Sequence, residues 1–471
     1  MLKYSILFAL TLFSSLTVNA SGLDGTTLSF WWAVPFGGIL LSLALMPIIA
    51  GHFWHNHFGK IAAGWSLITL GMISYQFGLK EAFHEVLLTY FHEFIPFIIF
   101  ILSLYVICGG IKIDITTKPN PYFNTTFLAI TTFVSSWIGT TGAAMLFIRP
   151  FLHVNENRPN KRHLVIFFIF LVCNIGGSLT AVGDPPLFLG FLNGIDFFWP
   201  TTHLFGPFLT VSIPLLVIFY FFDKRAFKKE GLHNNAFNHE DEDANDPFIV
   251  RFGGRRNLLL LLCAIAVIIL SGILKSKEGF YIGGVFLSYP NVARDLTLLL
   301  LTYISLQYGN KRVRSENHFT WAPFMEVFKV FAAIFITAAP VIAILKAGEQ
   351  GAFVGLVKLV NTGDGFHNDL YYWFTGGLSA FLDNAPTYLV FFNLAGGNPT
   401  DLMGPLSHTL IAISCGSVFM GALTYIGNAP NFMVKAIAEQ NNIAMPSFFG
   451  YMVWSILILV PLFILADLIW I

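Results

Sequence analysis

Thr180-Ala181-Val182-Gly183-Asp184-Pro185-Pro186 interrupts one apolar run of the chain, and Thr424-Tyr425-Ile426-Gly427-Asn428-Ala429-Pro430 interrupts another. Gly is favoured where the backbone turns sharply, and Pro lacks the amide that a helix interior needs. A regular helix does not run through either string, so each run reads as one discontinuous membrane helix. A second break lies upstream of each. It reads Ile138-Gly139-Thr140-Thr141-Gly142 in the first half and Leu382-Asp383-Asn384-Ala385-Pro386 in the second. Gly183 lies 44 residues after Gly139, and Gly427 lies 44 after Asp383, so one offset of 244 maps both pairs. The same offset maps Phe205-Gly206 onto Phe449-Gly450.

The breaks sit in a chain made for lipid. Of its 471 residues, 55% are hydrophobic, 16% aromatic and only 11% charged. Soluble chains carry about 25% charged residues. The composition excludes an ordinary soluble enzyme, a disordered chain and a secreted disulfide scaffold. Lys+Arg and Asp+Glu both number 26, and nothing in that balance points to nucleic acid. Cys108, Cys173, Cys263 and Cys415 lie in apolar runs without CxxC spacing and read as small buried hydrophobes.

Full-length apolar spans are expected at 30–50, 61–79, 86–111, 163–182, 203–222, 257–274, 291–309, 326–345, 406–427 and 447–471. The stretches 121–152 and 370–396 differ, because each carries its break in the middle. A straight helix over the first would be roughly 48 Å long, too long for a hydrocarbon core of about 30 Å. Half of it is too short to cross. A re-entrant hairpin fits, with its irregular tip covered by protein or lining a cavity.

Each half then crosses five times, and an odd number inverts the second half relative to the first. The expected fold is an all-α polytopic membrane protein. It is an inverted-topology repeat with two re-entrant hairpins and two discontinuous transmembrane helices, a plan common among secondary transporters. The first repeat covers 30–222, a cytoplasmic polar linker 223–256, and the second repeat 257–471. The linker holds the acidic run Glu240-Asp241-Glu242-Asp243 between basic ends. Residues 1–20, with Lys3, an apolar core and Val18-Asn19-Ala20, read as a signal peptide, which places the following N-terminus outside. With that orientation only Lys80, Lys275, Lys277, Arg294, Lys346 and Lys358 face outward. The remaining Lys and Arg after Lys3 face inward, as the positive-inside rule asks.

Charge inside a bilayer costs roughly 2.5–3.5 kcal/mol per Asp on insertion scales, so Asp184 and Asp383 are the chemical centre of the reading. Half-helix ends leave free carbonyls and amides. Asn384, Asn428, Thr140, Thr141, Thr180, Thr387 and Thr424 add neutral oxygens. A small hard cation favours such oxygens with one or two carboxylates. Protons and a cation would compete for one carboxylate, the minimum chemistry for exchange. The alternative is that the two Asp cap half-helices.

His92-Glu93 falls within a span. HExxH fails there because position 96 is Pro96. The pair reads either as a proton relay or as buried structural polar groups. His52, His55 and His57 form HxxHxH just after the first span, which reads either as a metal site or as an interfacial cluster with Phe53, Trp54 and Phe58 as headgroup-level anchors. No P-loop, nucleotide fingerprint or Ser-His-Asp arrangement appears, so the expectation is no enzyme, no cofactor and no metal beyond a transported ion. Transport would be driven by an ion gradient.

The motif strings resemble those of NhaD-type sodium/proton antiporters. The match runs through Ile138–Leu146, Gly176-Gly177-Ser178-Leu179-Thr180, Gly183–Phe191, Leu382–Thr387 and Thr424–Asn431, over roughly residues 30–471. That family belongs to the ion-transporter superfamily, with arsenite permeases and citrate and dicarboxylate transporters. The resemblance implies a scaffold plus a transport domain, a homodimer, and an elevator-like shift in the inner membrane. It implies exchange of Na+ or Li+ for H+, with Asp383 and Asp184 binding cation or proton in alternation. Dicarboxylate members place Ser-Asn-Thr at the hairpin tips, whereas these tips carry Gly-Thr-Thr-Gly and Asp-Asn-Ala-Pro-Thr. An organic-anion or arsenite carrier is the alternative, and its nearest basic residues would be Arg149 and Lys435.

Overall fold

The computed structural model describes residues 22–231, 249–274, 276–362 and 365–471. The signal segment, the acidic run of the linker and Lys275 lie outside the described residues. The chain opens with α1 (Val34–Ile49), α2 (Gly51–Phe77) and α3 (Leu79–Thr89). A π turn, Tyr90–Phe94, joins α3 to α4 (Ile95–Cys108). Strand β1 (Lys112–Thr116) leads to the helix pair α5 (Pro121–Ile138) and α6 (Thr140–Val154). Next come α7 (Arg162–Leu171), α8 (Pro185–Leu192), α9 (Trp199–His203) and α10 (Phe205–Lys229).

After β2 (Ile249–Gly253) the chain forms α11 (Arg255–Ile273), β3 (Gly279–Ile282), β4 (Val285–Ser288), α12 (Tyr289–Tyr308), α13 (Lys311–Glu316) and α14 (Ala322–Lys346). The last stretch holds α15 (Val354–Val360), β5 (Asn361–Thr362), β6 (Gly365–Phe366), α16 (Asn368–Leu382), α17 (Asn384–Leu394), α18 (Pro399–Met403), α19 (Ser407–Met420), α20 (Ala429–Gln440) and α21 (Phe448–Trp470).

The protein is mostly helical. Among the described residues, six helices are long and apolar enough to cross a membrane: Phe30–Pro47, Leu79–Cys108, Phe205–Lys229, Arg255–Ile273, Ala322–Lys346 and Phe448–Trp470. Two expected spans, 61–79 and 291–309, lie in helices of sufficient length that fall outside this set. α2 carries His52, His57 and Lys60, and α12 carries Arg294 and Asp295. Two others, 163–182 and 406–427, are not full-length helices. They are α7 and α19, which stop short. The reason is local: Asn174-Ile175-Gly176-Gly177 and Gly421 begin irregular backbone before the Gly-Asp-Pro and Gly-Asn-Ala-Pro strings.

The fold also departs from purely α. Three two-stranded antiparallel sheets occur among the described residues. The longest pairs Lys112 with Gly253 and Thr116 with Ile249, so an end of the expected linker is pinned to the first half. α10 continues to Lys229 and takes up its other end.

Residues Leu164 through Cys173 are fully buried, which puts α7 at the centre of the molecule. A helix apolar on all faces belongs in a core. α19 is buried in the same way from Thr409 to Met420. Outer helices such as α11, α12 and α21 expose Leu259, Leu262, Leu296, Leu300, Leu457 and Leu468. The base of the α5–α6 pair is fixed by a buried ion cluster. Arg158 donates to Asp223 at 2.6 Å and to Glu230 at 3.0 Å, while Asn124 donates to Asp223 at 2.8 Å. Breaking such a buried pair from one side is strongly destabilising.

Candidate functional site

Asn120 starts the path to the site by accepting the Phe123 amide at 2.8 Å, capping α5. α5 ends at Gly139, whose φ of 81° and ψ of 143° let α6 begin at once in a new direction. α16 ends in the same way at Asp383, with φ 77° and ψ 145°. Glycine adopts this backbone readily and other residues rarely do, at a cost of about 1–3 kcal/mol. The two broken helices also match. Asp184 (φ −145°, ψ 149°) precedes α8, and Asn428 (φ −152°, ψ 137°) precedes α20.

The hydrogen bonds repeat at the same offset. Thr180 donates through Oγ1 to the Ser136 carbonyl, and Thr424 donates to the Ala380 carbonyl. Each hydroxyl also accepts an amide two residues on, from Val182 and from Ile426. A Cβ on Gly183 would strike the Gly177 carbonyl, and one on Gly427 would strike that of Gly421. These contacts clamp each break against the helix pair of its own half. Thr180 and Thr424 are therefore ties between elements, and Thr387 is another: its Oγ1 donates to the Asp383 carbonyl at 2.8 Å.

Asp184 is where the halves meet. Its Oδ1 accepts Thr140 Oγ1 at 2.6 Å and Asn428 Nδ2 at 3.0 Å, and its Oδ2 accepts Asn384 Nδ2. Thr140 comes from the first half; Asn384 and Asn428 come from the second. The side chain does not cap α8. It is 1% exposed, so the three donors replace water around a buried carboxylate. The Thr140 amide donates to the Gly183 carbonyl at 2.8 Å and holds the tip against the break. Asn384 Oδ1 is buried with no hydrogen-bond donor. Such an oxygen beside a carboxylate is the atom a cation would take.

Asp383 behaves differently. Its Oδ1 accepts the Ala385 amide at 3.2 Å, so it caps α17. It lies close enough to Asp184 for the two charges to act on each other. Thr141 is half-buried and is not among the hydrogen-bond partners of Asp184. His92 and Glu93 sit in the π turn before α4, which packs against α8. π turns inside helices are frequent at functional sites. His57 stacks on Phe53 with ring centroids 4.6 Å apart, and His52 Nε2 lies 3.2 Å from Asn56.

Two further residues belong to the site. Asn174 Nδ2 donates to Asn431 Oδ1 at 2.8 Å, joining α7's end to α20. Asn431 donates in turn to the carbonyls of Gly421 and Thr424. The signal for Asn174 was a lone amide in the apolar run 163–182; Asn431 stood in the motif string beside Asn428.

The basic residues nearest the breaks in sequence are engaged elsewhere. Arg149 Nη1 donates to the Met145 carbonyl of its own helix at 3.3 Å. Lys435 pairs with Glu439 at 2.8 Å and lies over the Tyr425 ring. No Lys or Arg pairs with Asp184 among the described residues.

Apolar helices around two clamped breaks, with a buried carboxylate shared between halves, define a multi-pass membrane transporter. A family model described as "Putative citrate transport" matches residues 25–471. The chain belongs to that family, within the citrate and ion transporters. No curated protein matches it.

Proposed function

We propose that the protein exchanges Na+ or Li+ for H+ across the inner membrane by alternating access, with Asp184 as the shared cation and proton site. The observation that carries this reading is the environment of Asp184. Its partners are neutral, they come from both halves, and the charged group acting on it is another carboxylate, Asp383. An arriving cation would take oxygens from Asp184, Asn384 and Thr140. A proton would compete for the same carboxylate. Either event alters the bonds that join the halves, which links occupancy to movement.

The pairs α5–α6 and α16–α17 act in this reading as re-entrant hairpins. The two halves form an inverted-topology repeat that alternates around the site, within a homodimer. The matched backbone at Gly139 and Asp383 supports it. Asp383 supplies negative charge beside the cation while capping α17. Glu93 and His92 serve as relay groups on the neighbouring π turn.

A second reading rests on the family description. Asn384, Asn428 and Thr140 each give a donor to Asp184 in this structure, and Asn428 also donates to the Cys173 carbonyl at 3.0 Å. Neutralising Asp184 with a cation would free two amide donors for a carboxylate ligand, which is the requirement for cation-coupled citrate uptake. Everted vesicles holding a pH gradient separate the two. Collapse of the gradient by NaCl or LiCl, but not by KCl or citrate, is the expected result, and Asp184→Asn should remove it. Indifference to alkali cations, together with Na+-dependent uptake of labelled citrate, would replace the first reading by the second.

A further inference from the structure

A second concentration of buried charge lies on α3. Glu81, Glu85 and Thr89 recur at four-residue intervals along one face of the helix, and Glu93 follows in the π turn. Glu85 is 7% exposed. It lines a cavity of about 380 Å³ whose walls include Leu23, Thr26, Leu88, Ala339 and Lys346. Its carboxylate receives the Leu23 amide, yet Oε2 has no partner. Glu81 Oε1 and His84 Nδ1 are likewise buried without partners. The Lys346 ammonium acts electrostatically on both Glu85 and Glu93 but does not bond Oε2. Of these carboxylates Glu85 lines the cavity, together with the one Lys346 ammonium. Asp24 adds another at the rim, where it accepts the Thr26 amide at 3.0 Å. The wall formed by residues 22–28 is fixed in place: Gly25 meets the Ala343 carbonyl of α14 so closely that a Cβ does not fit.

We propose that this cavity is a cation-binding vestibule on the outer side, in which Glu85 takes up Na+ or Li+ ahead of the Asp184 site. The inference rests on the cation-exchange reading for its purpose and on the cavity itself for its chemistry. Glu85 Oε2 is a buried, unshared carboxylate oxygen, and Thr26, whose hydroxyl donates to Asp24 at 2.7 Å, lines the same cavity. The negative surround concentrates cations and repels a citrate anion. The helix that carries Glu85 runs on into the π turn, and that turn lies against α8, whose N-terminus is preceded by Asp184.

Labelling tests binding without requiring turnover. The purified full chain is treated with dicyclohexylcarbodiimide, and the adduct at Glu85 is quantified by peptide mass spectrometry in NaCl and in choline chloride. Protection by Na+ of several-fold is expected. Equal labelling in the two salts, or no labelling at Glu85, overturns the proposal. In vesicles that exchange Na+, Glu85→Gln should raise KM for Na+ offered at the outer face several-fold more than it lowers the maximal rate, and an unchanged KM overturns the proposal as well. If the wild-type chain carries citrate and exchanges no Na+, the exchange reading fails while protection at Glu85 still decides the vestibule.

Discussion

The two halves fold their breaks alike and arm them differently. Gly139 and Asp383 share one unusual backbone conformation, and Asp184 and Asn428 share another. The carboxylate sits in the broken helix of the first half and at the tip of the second. Asp184 faces its neighbours from both halves, whereas Asp383 spends one oxygen capping α17. The lesson is that matching backbone need not carry matching charge. A carboxylate at position 428, which corresponds to Asp184, would face Asp184 directly, because Asn428 Nδ2 lies 3.0 Å from Asp184 Oδ1. With the two carboxylates at non-equivalent positions, one is cradled by amides and a hydroxyl and the other stands beside it.

The largest expected effect removes the cradled charge. Asp184→Asn should abolish exchange in everted vesicles while the protein remains monodisperse in detergent. Exchange at the wild-type rate would end the assignment. Asp383→Gly comes next and separates strain from function. Glycine relaxes the positive φ and should stabilise the fold by about 1 kcal/mol, seen as a higher thermal midpoint. Exchange should nevertheless fall, because the second charge is gone. A stabilised variant that still exchanges would reduce Asp383 to a helix cap.

Thr140→Val takes one donor and one oxygen from Asp184. A loss of about 1.4 kcal/mol, roughly ten-fold in KM for Na+, is expected from one bond to a charged group. Thr180→Val and Thr424→Val test the likeness of the halves. Both should cost about 1 kcal/mol of stability and leave the KM alone, since both hydroxyls tie break to helix pair. Unequal costs would show that the halves are clamped differently.

The smallest effect lies away from the site. Lys112 and Arg312 bond Glu316 and hold its carboxyl below the ordinary value of 4.5. A lowered folded value stabilises above the ordinary range and is lost as pH falls through it. The tie between β1 and α13 should therefore open only in acid, below pH 4.5. Glu316→Gln should flatten that part of a thermal-midpoint profile against pH.

Much of the site was legible because a break in an apolar run is rare and leaves a residue signature. Gly139, Asp184, Asp383, Asn384 and Asn428 all stood in such strings, and the structure brings Thr140, Asn384 and Asn428 onto Asp184. Thr180, Thr387 and Thr424 were equally visible as polar atoms in those strings, but their hydroxyls turn to backbone carbonyls. A threonine that satisfies its own break and one that serves a ligand look the same in sequence. Asn174 was harder still, because its partner Asn431 is 257 residues away. The two discontinuous helices were read as apolar up to their breaks at Gly183 and Gly427, but α7 and α19 stop earlier, at Leu171 and Met420, since hydropathy averages over irregular backbone as readily as over helix.

Composition and the break strings by themselves determined that this chain lives in a membrane and where its apolar runs break. Those features follow from the cost of charge and unpaired backbone in lipid, which act locally. Only the tertiary structure decided which Asp receives donors from both halves and which caps a helix. That choice depends on the direction of side chains across the interface between halves, and no spacing along one chain encodes it. The same holds for Glu85, whose unshared oxygen exists only because α3, α14 and the segment at 22–28 close around it.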